Sequence, residues 1–386
     1  MPGAYFDNNA TTPLDPRVGE AMRPWLTDSW GNASSAHRWG QRAREAVEAA
    51  RAAVAALLGA AGEDVVFTAS GTEANNAVCA TLLAGAGPSD RAVVSAFEHP
   101  SVLAACDAWA ASRGVRVARV APGPDGVVAA GSIRAALDAG GTRLVALMLV
   151  NNELGTLQPV TEVARACRER GVALLVDAVQ AAGKIPVRVE ELGADYVTIG
   201  AHKFHGPLGA AALWIRPGAP FAPLLIGGTQ ERRRRASTAN VPALVGFGRA
   251  AELAAAELER RAVHLAALRD RFEAGLTAIP DAVVHGRDAP RVPHTSSVAF
   301  PGLLNADLMM RLDLGGWAVS TGAACSSGAV EPSPTLAALG LPRELALASL
   351  RVSFGAANTL DEVDRFLPVL AREVAGLRAG RPVAVG

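Results

Sequence analysis

The residues of this chain best suited to covalent chemistry follow a short apolar run and include one of its two lysines. The run, Tyr196 to Ile199, breaks at Gly200 and is followed by residues 201 to 205, AHKFH. Lysine occurs only at Lys184 and Lys203, so 35 of the 37 basic residues are arginine, a bias that a drift towards GC-rich codons largely explains. A lysine amine can form a Schiff base, whereas arginine keeps its proton. Because an isolated loop lysine is usually a solvated charge, the neighbouring strand ends decide its interpretation.

Two further strand ends carry polar groups. The turn Gly71-Thr72 follows the apolar run Val65 to Thr68 and leads into a predicted helix, and His99 follows the run Ala92 to Ala96. Free backbone amides and hydroxyls at a helix N-terminus form an anion site well suited to a phosphate. The same residue types also cap ordinary helices, so this turn alone does not establish a phosphate site.

Asp177 is the most informative of the strand-end residues. It ends an all-apolar run, Ala173 to Val176, that we expect to be buried on both faces of a sheet. A buried carboxylate costs several kcal/mol unless a cationic group pairs with it. No basic residue lies beside Asp177 in the sequence before Lys184. A bound ligand with a basic nitrogen would supply the missing partner.

One ligand, pyridoxal 5'-phosphate (PLP), accounts for all of these groups. It needs a lysine for its aldehyde, a carboxylate for its pyridine nitrogen, an anion site for its phosphate and a flat group against its ring. Lys203, Asp177, the Gly71-Thr72 turn and His99 supply one of each. All four are predicted at the same edge of one sheet.

The elements that position these groups alternate between β-branched runs and alanine-rich helical stretches as far as about residue 216. This alternation predicts an α/β fold with a mostly parallel sheet and helices on both faces. Ligands in such sheets lie outside the carboxyl ends of the strands. The predicted strands are Val65 to Thr68, Ala92 to Ser95, Val115 to Val120, Leu144 to Val150, Ala173 to Asp177, Tyr196 to Ile199 and Ala210 to Ile215.

At 386 residues the chain exceeds the size at which one core usually splits, so we expect two domains. We place a large domain at residues 16–256 and a smaller α+β domain at residues 1–15 and 257–386. A long predicted helix, Pro242 to Leu276, would connect them.

Composition narrows the classes of partner and compartment. The formal charge is zero, which gives no electrostatic reason to expect nucleic acid or an anionic membrane. We find neither a signal peptide nor a membrane span. The cysteines, Cys79, Cys106, Cys167 and Cys325, lack the spacing of a metal site or a disulfide framework, and a reducing cytoplasm fits them best.

The chain resembles the cysteine desulfurases of the class V aminotransferase superfamily, in the subgroup that serves iron-sulfur assembly and nitrogen fixation. Nine ordered motifs carry this resemblance nearly end to end. They are YFDNNATTP (5–13), TASGTEANN (68–76), EHPSV (98–102), NNELG (151–155), VDAVQAAGK (176–184), AHKFHGP (201–207), RRASTAN (234–240), STGAACSSG (320–328) and LRVSFG (350–355). The resemblance implies PLP fold type I, with a seven-stranded sheet in the large domain.

The resemblance also implies roles for individual residues. Lys203 would hold the cofactor aldehyde, Asp177 its pyridinium, Gln180 its phenolic oxygen and His99 its ring, with His99 also a candidate proton carrier. The phosphate would be held by Gly71, Thr72, His202 and, from the second subunit of a homodimer, Thr238. Asn152 would contact cofactor or substrate, and Arg351 would bind the substrate carboxylate.

Cys325 is the predicted sulfur acceptor, because it lies in a run of small residues, about 320–333, that we expect to be exposed and mobile. The implied reaction converts L-cysteine to L-alanine and leaves a persulfide on Cys325. A sulfur-acceptor protein such as an iron-sulfur scaffold would follow, and Cys325 could there contact the partner's cluster transiently. No metal site of the chain's own is predicted.

Several alternatives stay open on the sequence alone. A selenocysteine lyase or another class V PLP lyase or aminotransferase would have nearly the same cofactor residues, and a sulfur carrier without catalytic activity would keep the fold. The chain departs from the family pattern at Gly200, where serine is common, and at Ser237 and Ala239, which stand in place of glycine and glutamate. The loss of one phosphate hydrogen bond would cost about 1.5 to 3 kcal/mol of cofactor affinity.

Overall fold

The structure is a computed structural model that describes residues 3–322 and 331–380. Its strands are β1 (Ala4–Tyr5), β2 (Val65–Thr68), β3 (Arg91–Ser95), β4 (Arg116–Val120), β5 (Thr142–Ala146), β6 (Ala173–Asp177), β7 (Tyr196–Gly200), β8 (Ala211–Ile215), β9 (Val283–Val284), β10 (Thr295–Ala299), β11 (Trp317–Ala318) and β12 (Ser349–Ser353). The α-helices are α1 (Pro16–Thr27), α2 (Arg38–Leu58), α3 (Gly71–Leu83), α4 (Pro100–Arg113), α5 (Ala130–Leu137), α6 (Val160–Glu169), α7 (Val189–Leu192), α8 (Val241–Gly275), α9 (Asn305–Leu314), α10 (Pro334–Ala338), α11 (Arg343–Leu347) and α12 (Leu360–Arg378).

A seven-stranded sheet forms the centre of the fold, with strand order β2-β8-β7-β6-β5-β3-β4. Strand β8 is antiparallel to both of its neighbours, and the other pairs are parallel. The predicted α/β fold with a mostly parallel seven-stranded sheet is therefore confirmed. The parallel strands β3, β5, β6 and β7 end at one edge of the sheet, where ligands are expected in this architecture.

Both faces of the sheet are buried, as the apolar strands predict. Alternate residues of each strand belong to different cores: Val93 and Val145 face the core that contains α2 and α8, whereas Ala92 and Leu144 face the core that contains α3 and α4. Helix α2 ends at Gly59, whose φ of 65° suits a glycine cap.

A further apolar core lies outside the sheet and draws on the N-terminal arm, the second half of α8 and the C-terminal elements. Phe6 of the arm is fully buried there and packs edge-on against Phe354 and Phe366. Helix α8 contributes Leu253 to the sheet core and Leu265 to this second core. The predicted domain boundary at residue 256 falls inside α8 and stays a prediction.

The predicted strand Leu144 to Val150 is too long at its carboxyl end, since β5 stops at Ala146. The backbone N–H of Met148 donates to the Glu98 side chain at 2.6 Å, so this donor is not available to the neighbouring strand β3. On the other side the pairing continues beyond Ala146, since the backbone N–H groups of Leu147 and Leu149 donate to the Leu175 and Asp177 carbonyls of β6.

None of the helices in the described part of the chain is long and apolar enough to cross a membrane.

Candidate active site

A cavity of about 180 Å³ lies at the carboxyl ends of the parallel strands. Most of the side chains expected at a cofactor site line it together: Gly71, Thr72, His99, Asn152, Asp177, Gln180, His202 and Lys203. They come from segments that are spread over more than a hundred residues of the sequence. The strand ends bring them together, because each follows a strand of the same sheet or opens the helix after it.

Lys203 lies in a single 3-10 turn, Ala201–Lys203, that directly follows β7. Its Nζ donates to the backbone carbonyls of Asn9, at 2.6 Å, and Ala10, at 2.8 Å. Burial, with a contribution from Arg351, lowers the pKa of the Lys203 amine to about 8, against the opposing effect of Asp177. About a tenth of the amine is therefore neutral, and nucleophilic, at pH 7, far more than for an ordinary lysine.

Asp177 is buried at the end of β6 and is held by two neutral donors. The Asn75 side-chain amide donates to its Oδ2 at 2.8 Å, and the backbone N–H of Val179 donates to its Oδ1 at 3.0 Å. Within the described residues no cationic side chain forms an ion pair with it. The carboxylate therefore still lacks the cationic partner that its burial calls for.

His99 is connected to Asp177 by a chain of hydrogen bonds. The Asn75 amide that donates to Asp177 also donates to Ser101 Oγ at 3.0 Å, and Ser101 Oγ lies 2.8 Å from His99 Nδ1. The backbone N–H of Ser101 also donates to Nδ1, at 3.1 Å, which makes this nitrogen an acceptor. Burial lowers the pKa of His99, so the ring is neutral and carries its proton on Nε2.

Gly71 and Thr72 form the first turn of α3, a 13-residue helix whose N-cap is Ser70. A Cβ at position 71 would lie 3.0 Å from Val179 Cγ2, a tight contact that glycine avoids. His202 lies opposite, with its Nδ1 3.1 Å from Thr11 Oγ1. Burial lowers the pKa of His202 to about 4, and its ring is neutral at pH 7.

Gln180 is fixed at both ends of its amide. Its Oε1 accepts from Lys184 Nζ at 3.0 Å, and its Nε2 donates to the Asn9 carbonyl at 2.9 Å. Lys184 is fully buried, and this burial lowers its pKa well below the usual value. Lys184 therefore positions Gln180, and it does not line the cavity.

Asn9 is a residue that the sequence reasoning missed, although it lies in the quoted motif YFDNNATTP. Its carbonyl accepts from Lys203 and Gln180, and its Oδ1 accepts from His294 Nε2 at 2.8 Å. Its Nδ2 donates to the Asn152 carbonyl and to Thr295 Oγ1, each at 3.0 Å. The N-terminal arm therefore holds the cavity residues and the second core in one network.

Asn75, Ser101 and Glu98 were missed as well. They lie in the quoted motifs TASGTEANN and EHPSV, but only the folded chain shows which side chains they contact. Glu98 is fully buried close to Asp177, and burial raises its pKa to about 8, so its carboxyl is protonated at neutral pH.

The remaining predicted site residues do not line the cavity. Arg351 is buried in β12, where it forms an ion pair with Asp7 at 2.5 Å and donates to the Asn152 carbonyl at 3.0 Å. Thr238 is exposed and lies away from the cavity of its own chain. Cys325 lies outside the described residues. The roles assigned to these three stay predictions.

The residues around the cavity fit PLP. Lys203 offers a reactive amine, Asp177 is a buried carboxylate without a cation, and the start of α3 offers free amides for a phosphate. Two buried oxygens near Asp177, Asn75 Oδ1 on α3 and Thr198 Oγ1 on β7, have no hydrogen-bond partner among the described residues. Polar atoms of this kind are rare in folded proteins and indicate a site that a ligand completes.

The chain belongs to the class-V aminotransferase family, because the model of this family, "Aminotransferase class-V", matches residues 4–366. A cysteine desulfurase of Cereibacter sphaeroides is 45% identical over 385 residues, which cover 99% of this chain and 98% of that protein. A solved NifS-like protein has a TM-score of 0.90 at 36% identity, covering 97% of this chain and 99% of that chain. SspA, solved in complex with cysteine, has a TM-score of 0.80 at 30% identity, with coverages of 92% and 99%. The resemblance stated from the motifs is confirmed.

The lowered pKa of Lys203 predicts how this amine reacts with pH. In the cofactor-free chain, labelling of Lys203 by a small aldehyde and cyanoborohydride, followed by peptide mass spectrometry, should rise with a midpoint near pH 8. The reason is that only the neutral amine attacks the aldehyde, and burial favours that form. Arg351→Met should move the midpoint upward, since it removes a nearby positive charge. A midpoint near 10.5 in the unmodified chain would contradict the buried environment of this lysine.

Proposed function

We propose that this protein is a PLP-dependent cysteine desulfurase, which converts L-cysteine to L-alanine and passes the sulfur to a thiol. The observation that carries the proposal is the presence of Lys203 and Asp177 in one cavity beside the N-terminus of α3. The relatives described above, including a cysteine desulfurase and a protein solved with cysteine, support the choice of substrate.

The cavity residues would hold PLP in one orientation. Lys203 would bind its aldehyde carbon, Asp177 its ring nitrogen and Gln180 its phenolic oxygen, with the His99 ring against its face. Gly71, Thr72 and His202 would hold its phosphate. When bound, PLP withdraws electrons from the substrate Cα and stores them until a proton returns.

Arg351 is the proposed binding group for the substrate carboxylate, with Asn152 beside it. Its guanidinium is held by Asp7 and by the Asn152 carbonyl, while its Nε is buried with no hydrogen-bond partner in the part of the chain that the structure describes. A planar guanidinium binds a carboxylate through two parallel hydrogen bonds. The substrate carboxylate would therefore take the place of Asp7 or use the free Nε–H.

The chain's own groups would then move protons and sulfur. The neutral Lys203 amine, once released, accepts the Cα proton of L-cysteine. The Cys325 thiolate attacks the substrate Sγ: the new S–S bond forms, the Cβ–Sγ bond breaks, and its electron pair remains on the substrate carbon. Protonation of that carbon, Cβ, and return of a proton from Lys203 to Cα would give L-alanine. His99, with its proton on Nε2, is placed to deliver a proton at the cavity.

The sulfur on Cys325 would go to an acceptor protein, for which an iron-sulfur scaffold is the proposed partner. Within the described residues no cluster of three or more metal-binding side chains occurs. The chain itself would carry the sulfur only as a persulfide on Cys325.

The predicted role of Cys325 is tested by its removal. Cys325→Ala should lower turnover of L-cysteine by about 1000-fold or more, because it removes the attacking thiol. Mass spectrometry after a single turnover should find one added sulfur atom on Cys325 in the unmodified chain. Cys167→Ala, which changes a buried thiol on α6, is the matched control and should leave turnover within about twofold.

The same experiment separates the alternatives. A selenocysteine lyase would turn over selenocysteine and keep that activity in Cys325→Ala. An aminotransferase would leave no sulfur on the chain and would need a keto acid. Full cysteine activity in Cys325→Ala would contradict the proposed mechanism.

Gly200 provides a test by gain of function. It lies next to His202 with φ −130°, and a Cβ there would be 3.7 Å from the nearest atoms. Gly200→Ser should therefore fit and tighten PLP binding about tenfold, since its hydroxyl restores a phosphate hydrogen bond. Gly200→Ala has the same Cβ without the hydroxyl and should change the Kd less than about twofold. Equal Kd values for the two variants, measured by absorbance titration, would contradict a phosphate at this position.

We also propose that the protein is a homodimer, in which Thr238 reaches the phosphate in the partner's cavity. Its segment bears a strongly exposed apolar surface: Ile226 is 90% exposed, and the backbone of Leu225 accepts from Ala236 at 3.2 Å, which places it near Thr238. Exposed apolar surfaces of this kind mark interfaces.

Sedimentation velocity tests the dimer. The unmodified chain should sediment as a dimer. Ile226→Asp should shift the equilibrium towards monomer, because the interface would then bury a charge. Val263→Asp is the control. It makes the same kind of change at a residue of α8 that is 73% exposed, and it should leave the dimer intact. A monomeric unmodified chain at micromolar concentration would overturn this assignment.

A further inference from the structure

Glu153 is a buried carboxylate that the proposed reaction does not use. It lies in the turn between β5 and α6, directly after the cavity residue Asn152, and its side chain points away from the cavity lining. Asn151 Oδ1 fixes the turn by accepting from the backbone N–H groups of Glu153 and Leu154, each at 2.9 Å. The position of Glu153 is thus set by the same turn that presents Asn152.

The Glu153 carboxylate contacts the chain just after residues 323–330. Ser333 Oγ lies 2.7 Å from Oε1 and 2.6 Å from Oε2, and its hydroxyl donates to the carboxylate. The same Ser333 oxygen accepts from the backbone N–H of Thr335 at 3.1 Å and so caps α10. Glu153 therefore fixes the orientation of the serine that begins this helix.

The same carboxylate contacts the chain just before residues 323–330. Gly322 has a φ of 81°, and a Cβ built on it would lie only 2.2 Å from Glu153 Oε2. The backbone of Gly322 therefore lies directly against the carboxylate, where no side chain would fit. Two residues earlier, Ser320 exchanges backbone hydrogen bonds with Arg351, at 2.7 and 3.1 Å.

Burial of a carboxylate is expensive, and an apolar side chain would fill this space at lower cost. The effect of Glu153 is therefore geometric: one side chain accepts a hydrogen bond from Ser333 and packs closely against the backbone of Gly322, and these two residues flank the eight that include Cys325. We infer that Glu153 is a positioning residue that places both ends of the Cys325 segment against the turn bearing Asn152, by a hydrogen bond at Ser333 and by close packing at Gly322. This inference rests on the proposed function of Cys325 as sulfur acceptor.

The test uses full-length holoenzyme with Glu153→Ala, Glu153→Gln and a control, Glu162→Ala, which changes an exposed glutamate in the first turn of α6. Glu153→Ala should slow formation of the Cys325 persulfide in a single turnover by about 10-fold to 100-fold, because small misplacements of a reacting group are costly. The change in cofactor absorbance on adding L-cysteine should keep its cysteine dependence, since it precedes sulfur transfer.

Glu153→Gln should retain persulfide formation within about threefold of the unmodified enzyme, because the amide oxygen still accepts from Ser333. Ser333→Ala should slow the step like Glu153→Ala, and the double variant should be no slower than either alone, as expected for groups that act as one unit. Hydrogen exchange gives a readout independent of the reaction: amides of peptides spanning residues 319–337 should exchange at least about tenfold faster in Glu153→Ala.

The outcomes separate this inference from the proposed function. An unmodified enzyme that forms no persulfide on Cys325 overturns the proposed function, and this inference with it. Normal persulfide formation in the unmodified enzyme together with unchanged rate and unchanged exchange in Glu153→Ala overturns the inference alone. Loss of the cysteine-dependent absorbance change in Glu153→Gln and Ser333→Ala would also overturn it, because Glu153 would then support the cavity as a whole.

Discussion

A lysine amine, a carboxylate and two imidazoles share a small buried volume at the carboxyl edge of the seven-stranded sheet, and the site depends on this crowding of ionisable groups. Burial lowers the pKa of Lys203, His99 and His202, so both imidazoles are neutral at pH 7 and the amine loses its proton more readily than an ordinary lysine. Glu98 is kept protonated by the same effect. Asp177 remains the carboxylate on which a cationic ring nitrogen would be stabilised.

The N-terminal arm makes this crowding possible. Backbone carbonyls of Asn9 and Ala10 accept from the Lys203 amine, so that the amine is hydrogen-bonded without a carboxylate at contact distance. The arm also carries Asp7, which pairs with Arg351, and Phe6, which is buried in the second core. The cavity is therefore coupled to the C-terminal elements through a few residues near the start of the chain.

Much of this arrangement could be predicted from sequence because it depends on local patterns. The apolar runs predict most strands of the central sheet. The polar residues that follow these runs, such as Asp177 and Lys203, were correctly expected at one edge of it. Long-range hydrogen bonds could not be predicted. The roles of Asn9 and Asn75 depend on partners more than a hundred residues away, and β5 ends early because Glu98, from another strand end, takes a backbone donor.

The central claim is that Lys203 holds PLP in the cavity that also contains Asp177. Borohydride reduction of the purified holoenzyme followed by peptide mapping tests it most directly, since reduction makes a Schiff base permanent. We expect the pyridoxyl group on Lys203. We expect none on Lys184, which is buried, hydrogen-bonds to Gln180 and does not line the cavity. A chain that carries no such group after reconstitution with PLP, or carries it on Lys184, would contradict the account.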